Sequence, residues 1–236
     1  MKKREGTVVA VIPARGGSKG LRRKNVFPVA GAPLISYTIR AAKNSKYIDE
    51  VYVETDDQEI AEVSLKYGAK IIAEPKHLAG DAVTSDIVLR HALSYLQAHG
   101  TTPYVVVYLQ PTDLFREKNI IDRVIGALME SSSHDSAFAV SPTHKNFWRK
   151  RGSRATKLTS IKNLPRQKKE PLFREDTGIA CAAFPNTIKK YGRVGRNPVL
   201  VVHDIEFSYV DIHTKEDAWM AGQLVKKLKR TKRYAL

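Results

Sequence analysis

The residues best suited to chemistry form a glycine-rich, cationic stretch near the start of the chain. A short apolar run at residues 8–12 precedes it and ends at Pro13. Glycines let backbone N–H groups approach an anion closely, and arginine or lysine adds fixed positive charge. The stretch consists of Arg15, Gly16, Gly17, Ser18, Lys19 and Gly20. The pattern therefore predicts a loop that binds phosphate groups, in preference to an ordinary turn with solvated basic residues.

The glycine spacing excludes the two common phosphate loops. A P-loop reads GxxxxGK followed by Ser or Thr, whereas Lys19 is followed by Gly20 and Leu21. A dinucleotide fingerprint needs GxGxxG, which Gly16, Gly17 and Gly20 do not match. A different class of phosphate-binding loop is indicated.

The same stretch resembles the opening motif of the acylneuraminate cytidylyltransferase family, whose members join CMP to nonulosonic acids such as sialic acid. The family motif reads ARxxSKGxxxKN, and the matching positions are Ala14, Arg15, Ser18, Lys19, Gly20, Lys24 and Asn25. The resemblance implies a nucleotide site made by Ala14, Arg15, Gly16, Gly17, Ser18, Lys19, Lys24 and Asn25. It also implies that Arg15 and Lys19 are catalytic, because they would neutralise charge on the phosphates.

Two further segments resemble substrate-binding motifs of that family. Residues 109–116 read LQPTDLFR where the family has LQPTSPLR, which implies that Gln110 binds the sugar acid. Residues 78–86 read LAGDAVTSD and resemble a segment that contacts the nucleotide, here through Asp81 and Ser85. A simpler interpretation of the second segment is that Thr84 or Ser85 caps a helix.

A third motif combines Asp211 with His213 near the end of the chain. We expect both to project from the end of a strand, because alternate residues of an extended segment point the same way, about 7 Å apart. The family has two aspartates that hold Mg²⁺ in this motif, so the resemblance implies that Asp211 and His213 are metal ligands and that Asp211 is catalytic. Imidazole suits softer ions than Mg²⁺ and can also move protons. Mg²⁺ or Mn²⁺ held mainly by Asp211, a different metal, and weakened activity therefore all remain open.

Alternating apolar and helical patterns predict the elements that position these residues. Expected strands lie at 8–12, 51–55, 70–73, 104–109, 137–140, 177–184 and 198–202. Expected helices lie at 34–43, 58–67, 84–98, 119–130 and 215–228. The alternation predicts an α/β fold with a mostly parallel sheet and helices on both faces, and the resemblance implies a Rossmann-like nucleotidyltransferase fold. We expect one domain over 1–236.

Residues 141–174 interrupt this alternation with a basic stretch without periodicity. A segment this long usually serves a function or an interface, and it contains Phe147 and Trp148 as candidate interface anchors. The resemblance implies that this excursion binds the sugar and pairs two subunits, so we expect a homodimer. Gln167 and Arg174 are candidate sugar-binding residues, although a surface salt bridge explains Arg174 equally well.

Composition excludes few classes of function. The 236 residues carry 40 Lys and Arg against 24 Asp and Glu, a net charge of +16. Such charge attracts nucleic acid, but it is concentrated in three runs without interleaved aromatics, so we expect anionic substrates and no nucleic acid. The sequence has no apolar stretch of membrane-spanning length, and its single cysteine, Cys181, fits a reducing compartment. We therefore expect a cytoplasmic protein with no membrane partner.

The resemblance gives the most specific hypothesis for function. It implies a transferase that moves CMP from CTP to a sialic-acid-like sugar acid and releases pyrophosphate, with Mg²⁺ or Mn²⁺ as cofactor. Two alternatives remain: a related sugar nucleotidyltransferase with another base or sugar, and a catalytically impaired protein that binds nucleotide sugars. A third alternative, a nucleic-acid-binding protein, is supported only by the net charge.

Overall fold

The computed structural model describes residues 6–80, 82–130, 133–159, 165–203, 206–208, 210–231 and 233–236. Asp81, a candidate nucleotide contact, lies outside these residues. The strands in chain order are β1 (Thr7–Pro13), β2 (Pro28–Val29), β3 (Ala32–Pro33), β4 (Glu50–Thr55), β5 (Lys70–Ala73), β6 (Pro103–Tyr108), β7 (Ser136–Thr143), β8 (Trp148–Arg151), β9 (Arg154–Lys157), β10 (Leu172–Glu175), β11 (Cys181–Ala183) and β12 (Pro198–Val202). The helices are α1 (Leu34–Lys43), α2 (Gln58–Lys66), α3 (Ser85–Ala98), α4 (Ile120–Glu130), α5 (Pro185–Tyr191) and α6 (Lys215–Leu228).

Eight strands form the central sheet. Neighbouring strands lie in the order β12, β7, β11, β6, β1, β4, β5, and β10 pairs with the far part of β7. Strands β1, β4, β5 and β6 are parallel, as are β7 and β12. Because β11 runs antiparallel to both β6 and β7, six strands point the same way and only β10 and β11 are reversed in the described sheet. The predicted mostly parallel sheet is confirmed.

Strand β1 shows why helices cover both faces of the sheet. Its residues from Val8 to Ile12 are completely buried. Val8, Ala10 and Ile12 belong to a core that includes α1, α2 and α4, whereas Val9 and Val11 belong to a second core that includes α3 and α5. A strand buried on both sides needs no polar alternation, which explains its continuous apolar run. The prediction of helices on both faces is confirmed.

A third core attaches the last helix to the start of the chain. Helix α6 packs through Ala218, Ala221 and Val225 in a cluster that also contains Leu21 and Leu34. This packing places the segment before α6 beside the glycine-rich loop. None of the helices in the described ranges is long and apolar enough to cross a membrane.

The sequence prediction was wrong in three places. Residues 148–157 form an antiparallel hairpin of β8 and β9, and β7 continues to Thr143, so the 141–174 stretch is more regular than expected. The hairpin was missed because nearly all its residues are exposed and it has no apolar alternation. The strand expected at 177–184 is reduced to β11, preceded by a turn, and α5 was not predicted. Asp211 and His213 lie on irregular chain, not at a strand end.

Candidate active site

A cavity of about 460 Å³ opens near the carboxyl ends of β1, β5 and β6. Ligands of open α/β sheets bind at this edge. Its lining consists of Pro13, Arg15, Ser18, Lys19, Gly20, Lys24, Asn25, Glu74, Leu78, Gly80, Val83, Ser85, Val88, Tyr108, Gln110, Pro111, Thr112 and His213. The structure therefore brings together the glycine-rich loop, the start of α3, the Gln110 motif and His213.

The glycine-rich loop is fixed by contacts with the end of β4. Ala14 donates its backbone N–H to the Glu54 carbonyl at 2.8 Å. The Gly16 N–H donates to the Asp56 carboxylate at 2.8 Å, so it is already engaged by an anion of the protein. The Asn25 side-chain amide donates to the Arg15 carbonyl at 3.0 Å. Ala14, Gly16 and Gly17 do not line the cavity, in contrast to the other loop residues implied by the resemblance.

Gly20 needs to be glycine because the backbone before α6 lies against it. A Cβ atom at this position would lie 2.5 Å from the His213 carbonyl oxygen. No neighbouring side chain can move to relieve that clash, because the obstacle is backbone. The absence of a side chain at Gly20 thus lets the loop and the Asp211 segment lie against each other.

Three cationic side chains of the loop face the cavity. Arg15, Lys19 and Lys24 all belong to its lining. Burial lowers the pKa of the Lys24 ammonium, an effect that the Asp211 carboxylate opposes and Arg15 adds to. Lys24, Arg15 and Asp211 are therefore close enough to interact electrostatically, and together they suit a ligand with several negative charges.

A chain of hydrogen bonds connects α3 to Gln110. The hydroxyl groups of Ser85 and Tyr108 lie 3.2 Å apart, Tyr108 donates to the Gln110 side-chain oxygen at 3.1 Å, and the Gln110 amide donates to Thr112 at 2.9 Å. Thr84 occupies the N-cap of α3 but makes no side-chain capping bond. The predicted N-cap position of Thr84 is confirmed, but a side-chain capping bond is absent, and Ser85 instead bonds to Tyr108, with which it lines the cavity.

Arg116 is a buried positioning residue that the sequence prediction missed. Its side chain is 1% exposed and donates to the carbonyls of Gln110, Gly178 and Ile179 at 2.6, 3.0 and 2.8 Å. Burial lowers the pKa of its guanidinium to about 10. Because it binds backbone on two segments, it fixes the turn that carries Gln110. The sequence could have indicated Arg116, because it is the last residue of the LQPTDLFR motif.

Asp211 and His213 point the same way, as predicted, and touch each other. The His213 Nε2 atom lies 3.0 Å from Asp211 Oδ2, and the Ile212 N–H donates to Asp211 Oδ1 at 2.9 Å. Buried Ile212 anchors the segment. Helix α6 begins with a capping box, in which Thr214 and Asp217 exchange both bonds. Among the described residues, no group of three or more His, Cys, Asp or Glu is arranged to hold a metal.

Two carboxyl groups near the cavity were not anticipated. Glu74 follows β5, is 9% exposed and lines the cavity, and burial together with Asp56 raises its pKa to about 7 against the effect of Arg15. Glu54 is 0% exposed, and its carboxyl lies 2.5 Å from His91 Nδ1. Burial and the nearby Glu74 raise the pKa of Glu54 to about 9. The sequence could have indicated Glu54, because it is a charged residue within the apolar pattern of 51–55.

The candidate sugar residues of the 141–174 excursion lie elsewhere. Arg174 is on β10 and pairs with Asp176 at 2.6 Å, in agreement with the salt-bridge interpretation. Asp176 also accepts from Ser141 and contacts His203 at 3.0 Å. Gln167 is exposed on a short 3₁₀ turn. Neither Gln167 nor Arg174 lines the cavity, and Cys181 is buried in β11 with its thiol pKa raised by burial.

Comparison with known proteins adds independent findings. The family model described as "Cytidylyltransferase" matches residues 9–232. The pseudaminic acid cytidylyltransferase of Campylobacter jejuni is 40% identical over 126 residues, which are 53% of this chain and 54% of that protein. The N-acylneuraminate cytidylyltransferase of Escherichia coli is 33% identical over 138 residues, 58% of this chain and 32% of that protein. The chain thus matches about half of the first relative and about a third of the second.

A solved structure has the same fold over nearly the whole chain. It is the CMP:2-keto-3-deoxy-manno-octonic acid synthetase complexed with CTP, with a TM-score of 0.69. The similarity covers 94% of this chain and 99% of that one at 16% sequence identity. At that identity the likeness concerns the fold alone.

Proposed function

Because the chain belongs to the cytidylyltransferase family, we propose that it transfers CMP from CTP to a nonulosonic, sialic-acid-like sugar acid and releases pyrophosphate. The observation that supports this most strongly is the cavity beside the parallel strand ends, where Arg15, Lys19 and Lys24 converge. A triphosphate is the ligand that such a cluster of cations suits. The matching names of the two relatives support the choice of base and sugar.

The reaction needs no covalent intermediate on the protein. The anomeric hydroxyl oxygen of the sugar attacks the α-phosphorus of CTP, and the bond from that phosphorus to the bridging oxygen of pyrophosphate breaks. The hydroxyl proton is lost to solvent. Negative charge grows on the phosphate oxygens in the transition state, and Arg15, Lys19 and Lys24 stabilise it there. Gln110, fixed by Tyr108, Thr112 and Arg116, presents its amide to the sugar acid.

Asp211 and His213 would hold the divalent cation of this reaction. The pair fits such an ion in part, because a carboxylate oxygen suits Mg²⁺ or Mn²⁺ whereas an imidazole suits softer ions. With two protein ligands, phosphate oxygens and water would complete the coordination. A bound cation supplies charge neutralisation at the phosphates.

We further propose that the protein is a homodimer of single-domain subunits. Exposed apolar side chains are concentrated in and beside the β8–β9 hairpin: Phe147, Trp148, Leu158, Leu172 and Phe173. Such residues are typical interface anchors, and two-fold dimers are the commonest oligomer.

We also propose that the protein acts in the cytoplasm. The proposed reaction consumes CTP, and nucleoside triphosphates are made there.

Pyrophosphate release tests the proposed function. Each of the four nucleoside triphosphates is combined with a panel of sugar acids, and CTP with one nonulosonic acid should give turnover. Lys19→Ala should lower turnover by about 10²–10³-fold, because one charge-stabilising contact contributes about 2.7–4 kcal/mol in the transition state. The matched control is Lys66→Ala, which removes an exposed lysine of α2 outside the cavity.

Three outcomes would contradict parts of this proposal. Near-normal turnover of Lys19→Ala would remove the loop from the mechanism. Turnover with another nucleotide would favour a related sugar nucleotidyltransferase. Nucleotide binding without turnover under any combination would favour the catalytically impaired alternative.

A further inference from the structure

Glu74 contributes a carboxyl group to the lining of the cavity. Its backbone is fixed, since the Glu74 N–H donates to the Thr55 carbonyl at 2.9 Å. The side chain is 9% exposed, and no described residue donates a hydrogen bond to its carboxyl. The Glu74 oxygens are not among the buried side-chain atoms without a partner, so water in the cavity can hydrate them. A ligand that displaces this water must supply a donor in its place.

The two walls of the cavity differ in character. The glycine-rich loop contributes the cations Arg15, Lys19 and Lys24. The segment between β5 and the first turn of α3 contributes Glu74 together with the apolar side chains Leu78, Val83 and Val88. A nucleoside triphosphate has the same division, with anionic phosphates at one end and a flat, largely apolar base at the other. The base therefore fits the wall that carries Glu74.

The edge of a cytosine base matches a carboxyl group. Position 4 carries an amino group that donates hydrogen bonds, and a glutamate side chain accepts from that group in known recognition of cytosine. The adjacent ring nitrogen N3 is an acceptor. With a pKa of about 7, Glu74 is partly protonated at neutral pH and its O–H can donate to N3. Uracil instead has a carbonyl oxygen at position 4.

We propose that the Glu74 carboxyl binds the exocyclic amino group of the cytosine base and is a specificity-determining residue for the nucleotide. This inference rests on the proposed function, because it takes CTP as the ligand. It assigns a role to a residue for which the sequence motifs gave no indication.

The test measures binding without turnover. Calorimetry in the absence of sugar acid gives the Kd of CTP and of the matching pyrimidin-2-one triphosphate, which lacks the 4-amino group. For the unmodified protein we expect CTP to bind about tenfold more tightly or better, the range of a hydrogen bond to a partly ionised group. In Glu74→Leu that ratio should fall to about one. Glu74→Gln retains one donor and one acceptor and should keep the ratio.

Control variants separate this inference from the proposed function. Glu62→Leu removes an exposed carboxylate of α2 and should leave the ratio unchanged. If Glu74→Leu does not fold, Glu74→Asp withdraws the carboxyl by one methylene and should also reduce the ratio. An unchanged ratio in the folded leucine or aspartate variant would overturn the role of Glu74 while leaving the proposed function intact. Absence of CTP binding by the unmodified protein would overturn both.

Discussion

Replacing Glu54 by glutamine should stabilise the protein at neutral and alkaline pH. The Glu54 carboxyl is fully buried in β4, and its contact is with His91. Its Oε2 atom has no hydrogen-bond partner among the described residues. Burial and the nearby Glu74 carboxyl raise the pKa of Glu54 from its ordinary value of 4.5 to about 9. Glutamine has nearly the same shape and carries no charge at any pH.

The magnitude follows from the proton balance between the folded and unfolded chains. Between pH 4.5 and about 9 the folded protein keeps a proton on Glu54 that the unfolded chain releases. The contribution of Glu54 to stability is therefore fully present below 4.5 and is lost as pH rises toward 9, at about 1.4 kcal/mol per pH unit. At pH 7 the accumulated loss is about 3 kcal/mol. Burial lowers the pKa of His91, so the change in stability that comes from protonation of His91 occurs at acidic pH.

Urea unfolding at pH 6 and pH 8 measures this difference. The free energy of unfolding of Glu54→Gln should exceed that of the unmodified protein, and the excess should grow by about 2–3 kcal/mol between the two pH values. Glu62→Gln, at an exposed position of α2, should show no such growth. A Glu54→Gln protein that is less stable at both pH values by the same amount would refute the reasoning. That result would mean that Glu54 is ionised and paired with protonated His91.

The remaining predictions concern the cation and the assembly. Asp211→Ala should abolish metal-dependent pyrophosphate release without changing the melting temperature. Full activity of this variant with Mg²⁺, Mn²⁺ and Zn²⁺ would exclude Asp211 as a metal ligand. His213→Asp supplies a second carboxylate and should lower the Mg²⁺ concentration for half-maximal activity. A drop in activity with a shifted pH profile would instead favour a softer ion or proton transfer at His213. Sedimentation at micromolar concentration should show a dimer that Trp148→Glu dissociates, and a monomer before substitution would contradict the proposed interface.

Local patterns were sufficient to predict the elements that carry the site. The apolar run at 8–12 predicted an inner strand, and its complete burial confirms this because both faces are covered by helices. The glycines and cations of the loop likewise predicted a phosphate site, and Arg15, Lys19 and Lys24 do share one cavity. In each case the prediction depended only on residues that are adjacent in the sequence.

Contacts between distant segments could not be predicted in the same way. Asp56 engages the Gly16 N–H from 40 residues away, and Arg116 binds the carbonyls of Gly178 and Ile179 more than 60 residues away. No local pattern records such pairs. The hairpin of β8 and β9 was missed for another reason, because an exposed basic ribbon lacks the apolar alternation from which strands are inferred.

The contact between Gly20 and the His213 carbonyl has a consequence for the order in which the site is completed during translation. The loop emerges from the ribosome early, whereas the backbone against which Gly20 packs is made almost two hundred residues later. The last residues of the chain also make contacts that can form only late: Tyr234 forms an antiparallel β-bridge with Glu117, and the Ala235 N–H donates to the Arg116 carbonyl. At about 5–20 residues per second, this interval lasts about ten seconds or longer. A nascent chain that stalls before Asp211 can therefore form the sheet around β1, yet it lacks His213 in the lining of the cavity.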